Sequence, residues 1–284
     1  MKTILVATDF SERSDRALRR ATLLARHHGA RLQLLHVIDD DQPRRILEAE
    51  RNEAESLLRK LSATASKMDG VPTDWLVELD AAHRGIAKAA EKIRPDMLVL
   101  GPYRRQLLRE VFIGTTAERV IRSSLCPVLV ANAVPSGPYV HILQTTDMSS
   151  ASAAALKHFA AMGMGAGVRN SVLHVFQAPA LRLVMSETLH AEDKAHYLEE
   201  ERQSAAAELS GFLSSAGILT PAPVLRPERA AAALEILKAA EEEAADLVVI
   251  STRGRSGLQK LVLGSVAEQV LRSSPIDILA IPPL

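Results

Sequence analysis

Short apolar runs that end in a polar turn alternate along the chain with longer stretches of helical period. In the first half, the apolar runs predict strands at 3–8, 31–38, 73–79, 96–101 and 126–131. Between them, apolar residues recur every three or four positions in 15–28 and 45–61, which predicts helices. Ser11, with acidic residues soon after it, predicts the start of the first helix. Such alternation is typical of βαβ units on a mostly parallel sheet.

The second half repeats this order of elements. Its apolar runs predict strands at 141–146, 170–176, 222–226, 246–251 and 276–281. Its helical periodicity predicts helices near 150–163, 191–216, 229–244 and 264–273.

The repeat is visible in the letters themselves. ILVATDFS at 4–11 returns as ILQTTDMS at 142–149, an offset of 138 residues. DMLVL at 96–100 returns as DLVVI at 246–250, now at an offset of 150. One domain has therefore been duplicated, and the second copy carries twelve extra residues around 177–185 or in the helical stretch that follows. We predict two domains, 1–134 and 139–284, which agrees with the length of the chain.

The two predicted domains are each a doubly wound, mostly parallel, five-stranded α/β sheet of Rossmann-like type. The Pro- and Gly-containing linker 132–139 is too short to let them separate far. We therefore expect an intramolecular pseudo-dimer, with a further homodimer left open. The last strand of each copy would otherwise be an open sheet edge, and pairing these two edges would close both.

Composition narrows the possible partners and compartments. Lys plus Arg number 34 and Asp plus Glu number 34, so no net charge favours nucleic acid or an anionic membrane. The single cysteine, Cys126, has no partner for an internal disulfide, and no leader pattern precedes the first strand, which fits a reducing cytoplasm. The apolar runs are far shorter than the roughly 20 residues that cross a bilayer.

The candidate chemistry lies after the fourth strand of each copy. Copy one has Gly101, then Arg104, nine residues, and Gly114-Thr115; copy two has Ser251, then Gly254, nine residues, and Gly264-Ser265. Glycine lets backbone N–H groups approach phosphate oxygens, and a helix N-terminus favours an anion. At the switch point of an open sheet, the loops after strands one and four face each other. This would bring Asp147 opposite Gly254 and Gly264.

The spacing resembles the universal stress protein family, whose nucleotide-binding members carry Gly-x-x-Gly, nine residues and Gly-Ser/Thr here. The resemblance covers nearly the whole chain as two tandem domains. It implies that an Asp contacts the ribose, that the end of strand two contacts adenine and that the glycine loop holds the phosphates of ATP or ADP, with or without Mg²⁺. In copy two these roles fall on Asp147, Val175, Arg253, Gly254, Gly264 and Ser265. In copy one they fall on Asp9, Val37, Gly101, Gly114 and Thr115.

Both copies depart from the pattern. Arg104 replaces the second glycine in copy one, where a long side chain either fills the phosphate site or adds a cation. Ser251 replaces the first glycine in copy two, which is a smaller change. We therefore expect binding in copy two first. The resemblance implies a cytoplasmic stress-response regulator that acts through an unidentified protein partner.

Other interpretations remain open. Asp9 and Asp147 are compatible with helix capping, His36 and His174 with a structural role, and Cys126 with an inert buried thiol. No metal-ligand spacing and no acid/base pair emerges, so a slow ATPase is disfavoured. The alternative is a nucleotide-free interaction or chaperone-like module that uses 177–190, whose apolar residues either cover the extra helix or form a groove.

Overall fold

A computed structural model describes residues 1–102, 116–178, 191–218, 222–254 and 263–283. Three groups of residues discussed above lie outside the described residues: Arg104, Gly114-Thr115 and 179–190.

The described residues form ten strands and eight helices in the predicted order. In the first copy these are β1 Thr3–Ala7, α1 Glu12–His28, β2 Arg31–Ile38, α2 Arg44–Met68, β3 Thr73–Leu79, α3 Ala82–Ile93, β4 Met97–Leu100, α4 Thr116–Ser123 and β5 Val128–Val130. In the second copy they are β6 His141–Thr146, α5 Ser150–Met162, β7 Arg169–Phe176, α6 Ala191–Ser215, β8 Ala222–Pro227, α7 Ala232–Glu242, β9 Leu247–Ser251, α8 Ser265–Ser273 and β10 Asp277–Ile281.

The helix boundaries follow local chemistry. Ser11 is the N-cap of α1, as predicted, and its side chain accepts a hydrogen bond from the Ser14 N–H. Gly29 ends α1 at a φ of 62°, a left-handed conformation that favours glycine. Helix α2 continues to Met68, beyond the predicted end at 61, because buried Ala65 extends the apolar face of Ala54 and Leu58 by two more turns.

The first compact unit comprises Met1–Pro138 together with Pro275–Pro282. Its strands lie in the order β3-β2-β1-β4-β5-β10. Strands β1 to β5 are parallel, and β1 lies between β2 and β4. Every residue of β4 and β5 is buried, as expected of central parallel strands that are covered on both faces.

The C-terminal strand β10 lies beside β5 in this sheet. It pairs antiparallel with β5, and Leu279 lies opposite Leu129. The sequence predicts that these two edges pair, and this contact is found. A buried ion pair supports it, because Arg20 Nε of α1 lies 2.9 Å from Asp277 Oδ2, with side-chain exposures of 5% and 0%.

The second unit comprises mainly Tyr139–Lys260 and Gly264–Ser274. Its strands lie in the order β9-β6-β7-β8, and the pairs are parallel. Helices α5 and α6 cover one face of β7, where Leu156, Val172, Leu209 and Leu213 form a buried cluster. Among the described helices of the chain, none is both long and apolar enough to cross a membrane.

Candidate functional site

A cavity of about 500 Å³ lies at the carboxyl ends of the strands of the second unit. Strand β6 pairs with β7 on one side and with β9 on the other, so the chain leaves β6 at a switch point. Open α/β sheets bind ligands at such points. The volume is within the range of small-molecule sites.

All six residues predicted for copy two line this cavity. Asp147 follows β6, Val175 lies in β7, and Arg253 and Gly254 follow β9. Gly264 is the N-cap of α8, and Ser265 is its first residue. The fold therefore brings together residues that are up to 118 positions apart in the sequence.

Asp147 is held in place by the helix that follows it. Its Oδ1 accepts hydrogen bonds from the Ser149 N–H at 3.0 Å and the Ser149 hydroxyl at 2.6 Å. Ser149 is the N-cap of α5 and accepts from the Ser152 N–H at 3.2 Å. The cap of this helix is thus the serine, and the carboxylate orients the cap instead of capping the helix itself.

The turn around Asp147 is strained. Met148 has a φ of 59°, a left-handed conformation that is uncommon outside glycine. The Met148 N–H donates to Thr146 Oγ1 at 3.0 Å, and this hydroxyl lies 2.9 Å from Ser152 Oγ. Local hydrogen bonds therefore stabilise a backbone conformation that places Asp147 at the cavity. Strain of this kind is concentrated at functional sites.

The two glycines of the site have different reasons for lacking a side chain. A Cβ at Gly254 would lie 2.8 Å from Asp147 Oδ2, closer than real Cβ contacts allow. A Cβ at Gly264 would meet its nearest atom, the Thr252 carbonyl oxygen, at an ordinary 3.7 Å. A side chain at 254 would therefore displace the Asp147 carboxylate from its present position. Packing does not require Gly264, and its lack of a side chain leaves backbone open toward the cavity.

The cavity combines the start of a helix with several carboxylates. Gly264 and Ser265 line it from the N-terminus of α8, so the positive end of the helix dipole lies beside the cavity. Arg253 is the one lysine or arginine among the described lining residues. The described lining also carries four carboxylates, Asp147, Glu201, Glu208 and Glu228.

The first copy repeats the turn but packs differently around it. Asp9 Oδ1 accepts from the Ser11 N–H at 3.1 Å and the Ser11 hydroxyl at 2.5 Å. Burial raises the pKa of Asp9, but the hydrogen bonds from Ser11 outweigh it and leave this pKa below its ordinary value. Phe10 has the same φ of 59° as Met148 and stacks on His36 at 4.4 Å between ring centroids.

Packing accounts for two of the residues predicted in copy one. A Cβ at Gly101 would lie 2.8 Å from the Arg13 carbonyl oxygen, so α1 approaches this glycine closely. A Cβ at Gly85 of α3 would lie 2.5 Å from Val37 Cγ1, so α3 packs tightly against Val37. Close packing therefore explains the glycine at 101 and the position of Val37 without a bound ligand.

The other candidate side chains have structural partners. His36 Nδ1 lies 2.8 Å from the Thr8 carbonyl oxygen, and His174 Nδ1 lies 2.9 Å from that of Thr146. In the described part of the chain, no three His, Cys, Asp or Glu side chains are placed to hold a metal ion. Burial raises the pKa of the Cys126 thiol, which keeps it protonated at neutral pH.

Sequence reasoning missed one wall of the cavity. A run of acidic residues on a helix is usually a solvated face, but Glu201 of the run 199–201 lines the cavity with Ser204, Ala205 and Glu208 of α6. The sequence does indicate that these residues share a face, because Ser204, Ala205 and Glu208 follow Glu201 by three, four and seven positions.

Known proteins resemble this chain in sequence and in fold. A sequence model described as the universal stress protein family matches residues 1–132 and 138–282. A universal stress protein of Mycolicibacterium smegmatis is 25% identical over 99% of this chain and 97% of its own length. One from Thermus aquaticus is 30% identical over 45% of this chain and 97% of its own length. The crystal structure of a universal stress protein from Archaeoglobus fulgidus superposes with a TM-score of 0.71 at 19% identity, over 99% of this chain and 98% of that one, which shows the fold.

Proposed function

Because the chain belongs to the universal stress protein family as two tandem domains, we propose that it binds an adenine nucleotide in the second domain and acts as a ligand-controlled regulator. The observation that carries the proposal is the convergence of Asp147, Val175, Gly254 and Gly264-Ser265 on one cavity. Shared family membership alone would not suffice, since one fold serves many functions.

Each part of the nucleotide has a matching part of the cavity. The ribose hydroxyls would donate to Asp147, whose carboxylate Ser149 already orients. The base would lie at the carboxyl end of β7 beside Val175. The phosphates would lie at the N-terminus of α8, where backbone N–H groups, Ser265 and the guanidinium of Arg253 favour negative charge. Mg²⁺ would enter with the phosphates of ATP or ADP.

Ligand control follows from where these contacts lie. The phosphates would contact both Gly254 and Gly264, the two ends of the segment between β9 and α8. A ligand that binds one arrangement of this segment better than another shifts the protein toward that arrangement. We propose that a protein partner in the cytoplasm binds at this segment, so that nucleotide binding controls the interaction.

Calorimetric titration with ATP and ADP tests the proposal. We expect one nucleotide per chain, and a melting temperature that rises with ligand concentration because the ligand binds only the folded state. At a hundredfold excess over Kd the added stability is about 2.7 kcal/mol. Two nucleotides per chain would show that the first copy also binds. No heat and no thermal shift would contradict the proposal and favour the nucleotide-free interaction module.

A matched pair of serine variants separates capping from ligand contact. Ser149→Ala and Ser11→Ala each remove an N-cap, so each is expected to lower the free energy of unfolding by about 1 kcal/mol. Only Ser149→Ala releases the carboxylate of the second-domain cavity, and only this variant is expected to weaken ATP binding, by about tenfold. Equal affinity in the two variants would show that the orientation of Asp147 is irrelevant to binding.

A further inference from the structure

The cavity of the second unit has two sides, separated by strand β7. Successive residues of a strand point to opposite faces, so Leu173 and Val175 lie on one face and His174 and Phe176 on the other. The second face is the one covered by α6, because Phe176 packs against Ala205 of that helix. We call the space on this face the α6 arm. Its described lining residues are Met148, Ser152, His174, Phe176, Glu201, Ser204, Ala205 and Glu208.

His174 presents a hydrogen-bond acceptor to the α6 arm. The residue is 6% exposed and lines the cavity. Its Nδ1 lies 2.9 Å from the Thr146 carbonyl oxygen, which only accepts, so the ring proton of the neutral form is on Nδ1. The lone pair is then on Nε2, for which the described part of the chain supplies no partner. Nε2 is also absent from the fully enclosed side-chain atoms that lack a partner, so the cavity reaches it.

The face of α6 that lines the arm carries carboxylates. Glu201, which is half-buried, and Glu208, which is exposed at the mouth of the cavity, both belong to this lining. Two acidic residues on other faces of this helix are paired, since Glu199 lies 2.7 Å from Arg202 and Glu200 lies 3.2 Å from His196. Within the described lining of the α6 arm there is no lysine or arginine. The arm therefore offers acceptors and negative charge to whatever enters it.

We propose that the α6 arm binds a linear aliphatic polyamine. Glu201 and Glu208 are seven residues apart, which corresponds to about 10 Å along a helix axis. An extended triamine of the spermidine type carries ammonium groups at a comparable separation, joined by methylene chains. The apolar side chains of Phe176 and Ala205, which pack together, also line the arm and would contact those methylenes. The Nε2 lone pair of His174 would accept from an ammonium N–H.

This inference goes beyond nucleotide binding and does not depend on it. The phosphate end of the cavity is formed by Gly264, Ser265 and Arg253, none of which belongs to the α6 arm. Amine binding and nucleotide binding can therefore be measured separately, each in the absence of the other ligand.

The test is a calorimetric titration of the full chain with spermidine, without nucleotide and at physiological ionic strength, where attraction between exposed charges is screened. We expect saturable binding with a Kd below about 1 mM. The variant Glu201→Gln/Glu208→Gln is expected to weaken binding at least about tenfold. The control Glu199→Gln/Glu200→Gln removes the same charge from the same helix outside the cavity, and it is expected to change Kd by less than about twofold.

Two outcomes of the titrations would overturn the proposal. The first is absence of saturable binding to the wild-type chain. The second is equal weakening by the two double variants, which would show unspecific attraction to an acidic helix. A ring-nitrogen NMR signal provides an independent readout: spermidine is expected to shift the Nε2 resonance of His174 and to leave that of His36 in place. An unchanged His174 resonance at saturation would place the amine outside the α6 arm and contradict the proposal.

Discussion

Asp277→Asn is expected to lower the free energy of unfolding by about 3 to 5 kcal/mol, the usual cost of removing one partner of a buried ion pair. The substitution keeps the shape of the side chain but removes its charge. The Arg20 guanidinium, whose side chain is 5% exposed, would then lose its ion pair with Asp277. Equilibrium unfolding in urea, followed by circular dichroism, measures the change.

The contacts of this pair explain why the effect is large. Asp277 Oδ1 accepts from the Ala133 N–H at 2.9 Å, while Oδ2 accepts from Arg20 Nε. Arg20 also donates to the Gly137 carbonyl oxygen at 2.7 Å. The pair therefore ties helix α1 and the segment after β5 to strand β10. Losing the charge weakens all three attachments together.

An exposed ion pair supplies the control for Asp277→Asn. Arg44 and Glu48 lie 3.0 Å apart in α2, with side-chain exposures of 92% and 65%. Glu48→Gln is expected to cost no more than about 0.5 kcal/mol, because water screens such pairs. A similar cost for Asp277→Asn would show that the buried pair is not an anchor of β10.

The order of elements could be predicted from the sequence because each copy carries its own local periodicity. Strands such as Thr3–Ala7 and Leu247–Ser251 are apolar runs that end in a polar turn, and both copies predicted the same order of elements. The pairing of β10 with β5 could be predicted only because an open sheet edge needs a partner. Its ion pair joins residues 257 positions apart, and the one local signal was an aspartate inside the apolar run IDILAI.

The site was predictable where topology determines it and not where side-chain packing does. Parallel strands bring Asp147 near Gly254 and Gly264 whatever their side chains do, so the motif spacing sufficed. The link from Asp147 through Ser149 to helix α5 depends on a strained turn that no spacing reveals. Glu201 and Glu208 escaped attention because charges on a helix are usually solvated, and only the packing of α6 against β7 places them at the cavity.

Gly254→Val is expected to weaken ATP binding by at least about a hundredfold, or about 2.7 kcal/mol. Any Cβ at this position would lie 2.8 Å from Asp147 Oδ2, and valine adds two methyl groups to it. The carboxylate must then shift, which strains the hydrogen bonds that it accepts from Ser149. The stability cost is expected to be only about 1 kcal/mol, the value of a hydrogen bond, so the folded variant can be titrated by calorimetry.

The control for Gly254→Val is the same substitution where the structure leaves room. A Cβ at Gly211 of α6 meets nothing within 4 Å, and this residue is exposed. Gly211→Val is therefore expected to leave ATP affinity unchanged within about twofold. Equal loss of affinity in the two variants would show that the effect is global and not a property of the cavity.

A double-mutant cycle identifies the route by which Gly254→Val acts. If the valine acts by displacing Asp147, then Asp147→Ala removes the obstacle together with the ribose contact, and the two effects are not additive. The variant Asp147→Ala/Gly254→Val is then expected to bind ATP no more weakly than Gly254→Val alone. Additive losses would show that glycine at 254 acts on the phosphates independently, and that its contact with Asp147 has no part in binding.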